Sequence, residues 1–189
     1  WNKQLAEREQ ILFAPVFHRD LVLGVATWAL ELFRNAPPLE VLYVPIGLGS
    51  SICGAIFTRD LLGLSTEIIG VQSAEAACYA RSLEAGRAVE LNSADTKADG
   101  LAVRIPDAQA LKIIKDGASR VITVTDDEIA QAIRVYWTDT HNLAEGAGAA
   151  AFAGLLQEKD AMAGSHVGVC LSGGNIDLAL FKSWVAEGV

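Results

Sequence analysis

At 189 residues, with 51% hydrophobic and 20% charged residues, the chain has an ordinary globular composition and is long enough to bury one substantial core. Its net charge of -8 and pI near 4.8 argue against a broad polyanion-binding surface, so nucleic acid is not expected as a partner. No apolar run approaches the roughly 20 residues of a membrane span, and the opening WNKQLAEREQ lacks a secretory signal core, so no membrane partner and a cytoplasmic location are expected.

In chain order, Asp20 to Asn35 carries apolar residues at Leu21, Val25, Trp28 and Leu32, which predicts one helix stopped by Pro37 and Pro38. Val41 to Ile46, Thr66 to Val71, Arg120 to Val124 and Val167 to Leu171 are short apolar runs bounded by glycine or polar residues, and read as buried strands. Gly86 to Asp99 is the most polar stretch and is expected to be an exposed excursion. Thr125-Asp126-Asp127-Glu128 is a capping box that opens a helix running to about Thr138. Ala144 to Glu158 predicts a further helix, whose small residues from Gly146 to Ala151 allow close packing on a sheet. Strands alternating with helices place the chain in the α/β class, as a single domain.

Three cysteines, Cys53, Cys78 and Cys170, have no CxxC spacing and no nearby histidine pair, so neither a disulfide framework nor a zinc site is indicated. They read as buried small apolar side chains. The chain opens at Trp1 rather than methionine, which suggests that further sequence precedes it.

The strand VLYVPIGLGSSICG, Val41 to Gly54, runs into glycines at 47 and 49. Such glycines permit positive φ, which turns backbone amides toward one point, and the following helix adds its positive end. Ile52 breaks the dinucleotide pattern GxGxxG, and no Gly-Lys-Ser/Thr follows. Two readings stand at this level: a phosphate cradle, or a tight strand-to-helix turn with no ligand. Leu171 to Asp177, LSGGNID, is a second strand feeding a glycine turn. Ser172 and Asn175 there are either ligand contacts or turn and cap residues. In open parallel sheets ligands sit at the carboxyl ends of strands, where both turns would lie. Glu145, leading HNLAEGAGAAA, is either a helix N-terminal acid or a polar group facing a ligand. Lys97, in a polar loop, reads as a solvated lysine, and Lys3, Lys112, Lys115, Lys159 and Lys182 offer nothing better as a reactive amine. His18, His141 and His166 read as structural or surface residues.

In this order, VPIGLGSSICG, IIGVQSA, TKADGLAV, EGAGAAAFAGLL and LSGGNID resemble the threonine and serine dehydratase group of the tryptophan-synthase-β-like, fold type II, pyridoxal-phosphate enzymes. Phe17 to Leu32 resembles that family's helix before the glycine-rich strand, and the similarity runs from about Phe13 onward. The resemblance implies an open, mainly parallel twisted sheet with helices on both faces, and pyridoxal 5'-phosphate as cofactor. It implies that Gly47, Leu48, Gly49 and Ser50 donate backbone amides to the cofactor phosphate, with Leu48 and Ser50 replacing glycines of the commoner pattern. Ser172 would contact the pyridine nitrogen, Gly100 would lie by backbone near the ring, and Glu145 would sit close to the pyridine edge. A neutral Ser172 hydroxyl would leave the ring nitrogen unprotonated, favouring loss of a β-leaving group over transamination.

Some members of that family carry a divalent cation beside acids after the second strand; here Gln72-Ser73-Ala74-Glu75-Ala76-Ala77-Cys78 has glutamine and cysteine instead, and no metal is expected. The activity implied is β-elimination from a small amino acid, yielding a 2-oxo acid and ammonia, in a homo-oligomer. The family's serine-phenylalanine-lysine motif, which holds the cofactor lysine, and its serine-serine-glycine-asparagine-histidine loop are not in these residues. Residues 1–189 are therefore expected to be the C-terminal part of the large cofactor-binding domain, inactive alone, with the small domain and the lysine segment elsewhere. The alternatives are a non-catalytic phosphate-ligand or interaction domain, or a fragment of another fold type II enzyme such as a racemase.

Overall fold

The computed structural model describes residues 2–11 and 15–185; Trp1 and Phe13 lie outside them. Four parallel strands, β1 (Val41–Pro45), β2 (Glu67–Ser73), β3 (Arg120–Val124) and β4 (Val167–Val169), form one sheet in the order β3-β2-β1-β4. Helix α1 (Asn2–Glu9) leads the chain, α2 (Arg19–Val25) and α3 (Thr27–Asn35) precede β1, and α4 (Ser50–Leu61) joins β1 to β2. Helices α5 (Cys78–Ala85) and α6 (Ala108–Gly117) lie between β2 and β3, α7 (Asp126–Asp139) and α8 (Gly146–Gln157) between β3 and β4, and α9 (Leu178–Val185) follows β4. Among the described residues no helix is long and apolar enough to cross a membrane.

Side chains alternate across a strand, and here each face of the sheet has its own core. Val41, Tyr43, Ile69 and Val71 pack with α7, α8 and α9, whereas Leu42, Val44, Ile46 and Ile68 pack with helices of the α2–α6 set. Helices therefore cover both faces, as expected for parallel strands. Gly154 of α8 rides so close to the sheet that an added Cβ would lie 2.9 Å from a Val71 methyl, which explains the run of small buried residues in this helix.

Several expectations are corrected. β1 and β2 are buried, but β3 and β4 are mostly half-buried, because they are the two edges of the sheet and have a strand neighbour on one side only among the described residues. β4 stops at Val169 and β1 at Pro45, while β2 continues to Ser73, where Gln72 and Ser73 pair with Thr123 and Val124. The single helix expected over 20–35 is two, interrupted at Ala26. The Thr27 hydroxyl donates to the Gly24 carbonyl at 2.8 Å, competing with the helical ladder, and Gly54 of α4 packs against the Ala26 backbone. Val22 and Ala29 face the core there, whereas Leu21 is 45% exposed.

The Thr125 capping box forms as expected and starts α7. α8 begins at Gly146, with Glu145 as its N-cap. The 86–99 excursion is largely exposed but pinned: Leu91 and Ala98 are buried, and Leu91 N donates to Arg104 O at 2.9 Å. α1, α5 and α6 were not anticipated, although Asp107 after Pro106 is a clear cap for α6, its carboxylate accepting from Gln109 N and Ala110 N.

Candidate functional site

The site grows from the carboxyl end of β1. Ile46 N still donates to Val71 O at 2.8 Å, after which the chain leaves the sheet through Gly47-Leu48-Gly49 and enters α4. Gly47 and Gly49 are needed for different reasons. Gly49 has φ 104, which side chains other than glycine rarely tolerate. Gly47 has no positive φ, but an added Cβ would lie 2.4 Å from Gly100 O. Leu48 and Ser50 carry no positive φ either, so their replacement of glycine leaves the turn unstrained. No side chain caps α4, and the first amides of this 12-residue helix, which have no intrahelical acceptor, are left to bind something else.

The turn is held from behind by Tyr79. Its hydroxyl donates to Leu48 O at 2.6 Å and accepts from Asp107 N at 3.0 Å, linking the turn to α5 and to the start of α6. Burial pushes the Tyr79 hydroxyl well above its ordinary value, so it keeps the proton it donates. On the other side, Asp126 in the first turn of α7 accepts from Thr96 Oγ1 at 2.6 Å and from Lys97 N at 2.8 Å. Those bonds fix the strand of chain that presents Gly100, while the Lys97 side chain itself is exposed.

The LSGGNID loop closes the site. Cys170 N donates to Tyr43 O at 3.0 Å, extending the ladder by one residue, and the loop then lies on the N-terminus of α8, where Glu145 N donates to Gly173 O at 3.1 Å. The approach is close enough that a Cβ on Gly148 would sit 2.2 Å from Gly173 O. Gly47, Leu48, Gly49, Ser50, Gly100 and Ser172 line one cavity of about 180 Å³, together with Ser51 and the apolar Pro45, Leu101 and Ala147. Glu145 does not line it; its carboxylate lies against Gly173, where an added Cβ would meet Oε1 at 2.4 Å. Asn175 is exposed.

The lining is backbone amide, hydroxyl and small apolar groups, with no charged side chain. Such a cradle suits an anion bound by oriented amides and a helix N-terminus. Two residues with a part here were not anticipated. Ser51 sits beside the assigned Ser50 and was legible as a second hydroxyl in the first turn of α4; Tyr79 lies 31 residues from Leu48, beyond any local signal. Cys53 and Cys78 are buried as expected, whereas Cys170 is half-buried because it follows the edge strand β4; desolvation pushes the Cys53 thiol up to about 12 and that of Cys170 up to about 11, the latter against a partial offset from the Ser51 hydroxyl. His18 caps α2 with Nδ1, His141 lies 3.2 Å from Trp137 O, and His166 is an exposed loop residue.

Ser51 and Ser172 also line a second, larger cavity of about 960 Å³ that runs between α2–α3 and the end of β4. Val25, Trp28 and Leu32 of the predicted helical stripe form one wall of this groove, and Val169, Cys170 and Leu171 form the other.

The family model for "Pyridoxal-phosphate dependent enzyme" matches residues 1–173. The L-threonine ammonia-lyase of Thermotoga maritima is 31% identical over 187 residues, covering 98% of this chain and 46% of that protein. The processed form of threonine deaminase isoform 2 from Solanum lycopersicum superposes with a TM-score of 0.92 at 26% identity, over 97% of this chain and 55% of that one. The serine racemase from Dictyostelium discoideum gives 0.82 at 32% identity, over 94% and 58%. The chain thus spans about half the length of the relatives it matches.

Proposed function

The chain belongs to the pyridoxal-phosphate dependent enzyme family, and from that premise we propose that it is the phosphate- and ring-holding part of an ammonia-lyase acting on a small β-hydroxy amino acid. The observation that carries this reading is the convergence of the Gly47–Ser50 turn, Gly100 and Ser172 on one uncharged cavity at the carboxyl ends of β1 and β4. The cradle fits a phosphate monoester on physical grounds: no side chain caps α4, and the first amides of that helix have no intrahelical acceptor. The amides of Gly47 to Ser50 bind the phosphate, with Ser50 and Ser51 hydroxyls beside them. Gly100 borders the ring by its backbone, and the Ser172 hydroxyl meets the ring nitrogen as a neutral partner. Glu145 supports that loop from behind Gly173. When bound, pyridoxal phosphate supplies the electron-withdrawing chemistry that makes the substrate Cα proton acidic.

The amine that carries the cofactor and the loop that grips the substrate carboxylate come from the rest of the polypeptide, which covers the groove beside the free edge of β4. Residues 1–189 are on this reading the C-terminal part of the large domain. A reducing, cytoplasmic setting accords with three free cysteines, and a homo-oligomer is the assembly that the family resemblance implies for the whole protein.

Offering the whole protein L-threonine, L-serine and L-threo-3-hydroxyaspartate and measuring 2-oxo acid and ammonia tests the proposal. Release from at least one is expected. The likeness to a serine racemase supports a second reading, and D-amino acid formation without 2-oxo acid would select it. Cofactor binding without turnover of any kind would favour a non-catalytic domain.

A further inference from the structure

We propose that the Gln72 carboxamide braces the corner between β2 and α5 in the role a metal ion would play, so that this protein holds the corner without a divalent cation. Gln72 is fully buried near the end of β2, where a polar group is costly unless paired. Its Nε2 donates to Ala76 O at 3.1 Å and toward Cys78 Sγ at 3.8 Å, and its Oε1 accepts from Ala80 N at 2.9 Å. One side chain thereby ties the strand end to the 3-10 turn Ala74–Ala76 and to the first turn of α5.

The donor set does not suit a hard cation, which takes six or more oxygens, usually including carboxylates. Ala76 O already accepts an N–H, Cys78 O accepts the Ser82 hydroxyl at 2.6 Å, and Ser73 Oγ accepts from Glu75 N at 3.2 Å. Glu75, the acid of this turn, is exposed, and the sulfur of Cys78 is soft. One Nε2 proton points at the Ala76 carbonyl, whose lone pairs a cation would need, and the other toward the Cys78 sulfur. The brace reaches the glycine turn because Tyr79, next to Cys78, donates to Leu48 O. That last link rests on reading the turn as the cofactor cradle; the brace itself does not.

Thermal unfolding and pyridoxal-phosphate affinity of the whole protein, in EDTA and then with Mg²⁺, Ca²⁺ or Mn²⁺, test the proposal. The wild type is expected to show the same Tm and the same cofactor affinity in every condition. Gln72→Met is expected to lower Tm by several degrees with no rescue by cations. Gln72→Glu, which sets a carboxylate against Ala76 O, is expected to lower Tm in EDTA and to regain part of it with a divalent cation. A cation-dependent rise in the wild-type Tm, a Gln72→Met protein as stable as wild type, or a Gln72→Glu protein indifferent to cations would overturn the inference. The Tm readings decide it even if the protein binds no pyridoxal phosphate, an outcome that would count against the cofactor reading alone.

Discussion

Gly47 and Gly49 stand one residue apart and fail differently when altered. Gly47→Ala forces a methyl onto the Gly100 carbonyl, with backbone on both sides and no flexible side chain to give way. It is expected to weaken pyridoxal-phosphate binding at least about tenfold, some 1.4 kcal/mol, in an equilibrium titration. Gly49→Ala instead places an L side chain at φ 104, costing about 1–2 kcal/mol of stability before any ligand is considered. Tyr79→Phe removes no bulk but leaves Asp107 N and Leu48 O without their shared partner. A loss of about 1–3 kcal/mol in denaturant unfolding is expected, with weaker cofactor binding because the turn loses its backing. The glycines and Ser172 were legible because turn chemistry is local, a matter of which residues tolerate positive φ or close approach. Tyr79 was not, since its partners lie in two other segments, and Glu145 was legible as a helix N-terminal acid or a ligand-facing group but not as the support behind Gly173, which is a tertiary fact.

At the level of elements, α8 must meet the site at its N-terminus while lying close on the sheet, and its other end shows how it is fixed. Glu158, its C-cap, accepts from the Tyr43 hydroxyl of β1 and from Arg120 of β3, at 3.1 Å from Nε and 2.7 Å from Nη2. Burial alone would raise the Glu158 carboxyl, but the hydrogen bonds from Arg120 and Tyr43 outweigh it and hold the group below its ordinary 4.5. A depressed carboxyl contributes stability that is present above its unfolded value and is lost as pH falls through its folded one. Tm should therefore fall as pH drops below about 4.5, and Glu158→Gln should flatten part of that decline. Because Arg120 is 37% exposed, screening keeps the expected loss at neutral pH to about 1 kcal/mol. Small residues foretold α8 and its packing, as the capping box foretold α7. The break at Ala26 escaped because the apolar spacing runs through it unbroken, and the outer strands read as buried because an apolar run does not say whether it has one neighbour or two.

On the scale of the molecule, helices cover both faces of the sheet, and β3 and β4 are its two edges among the described residues. The Val25, Trp28 and Leu32 stripe, read in the sequence only as the mark of a helix, lines the groove at the β4 edge, next to the cavity that holds Ser172. That groove, which Glu31 and Asn35 also line, is where the proposed remainder of the polypeptide would lie, and the relatives are about twice as long as this chain. On the proposed function this chain supplies the phosphate and ring contacts, and the lysine comes from the rest of the polypeptide. Borohydride reduction of the whole protein in the presence of pyridoxal phosphate, followed by peptide mapping, tests it directly. A single pyridoxyl-labelled lysine outside residues 1–189 is expected. A stoichiometric label on Lys3, Lys97, Lys112, Lys115, Lys159 or Lys182, or no label at all, would contradict it.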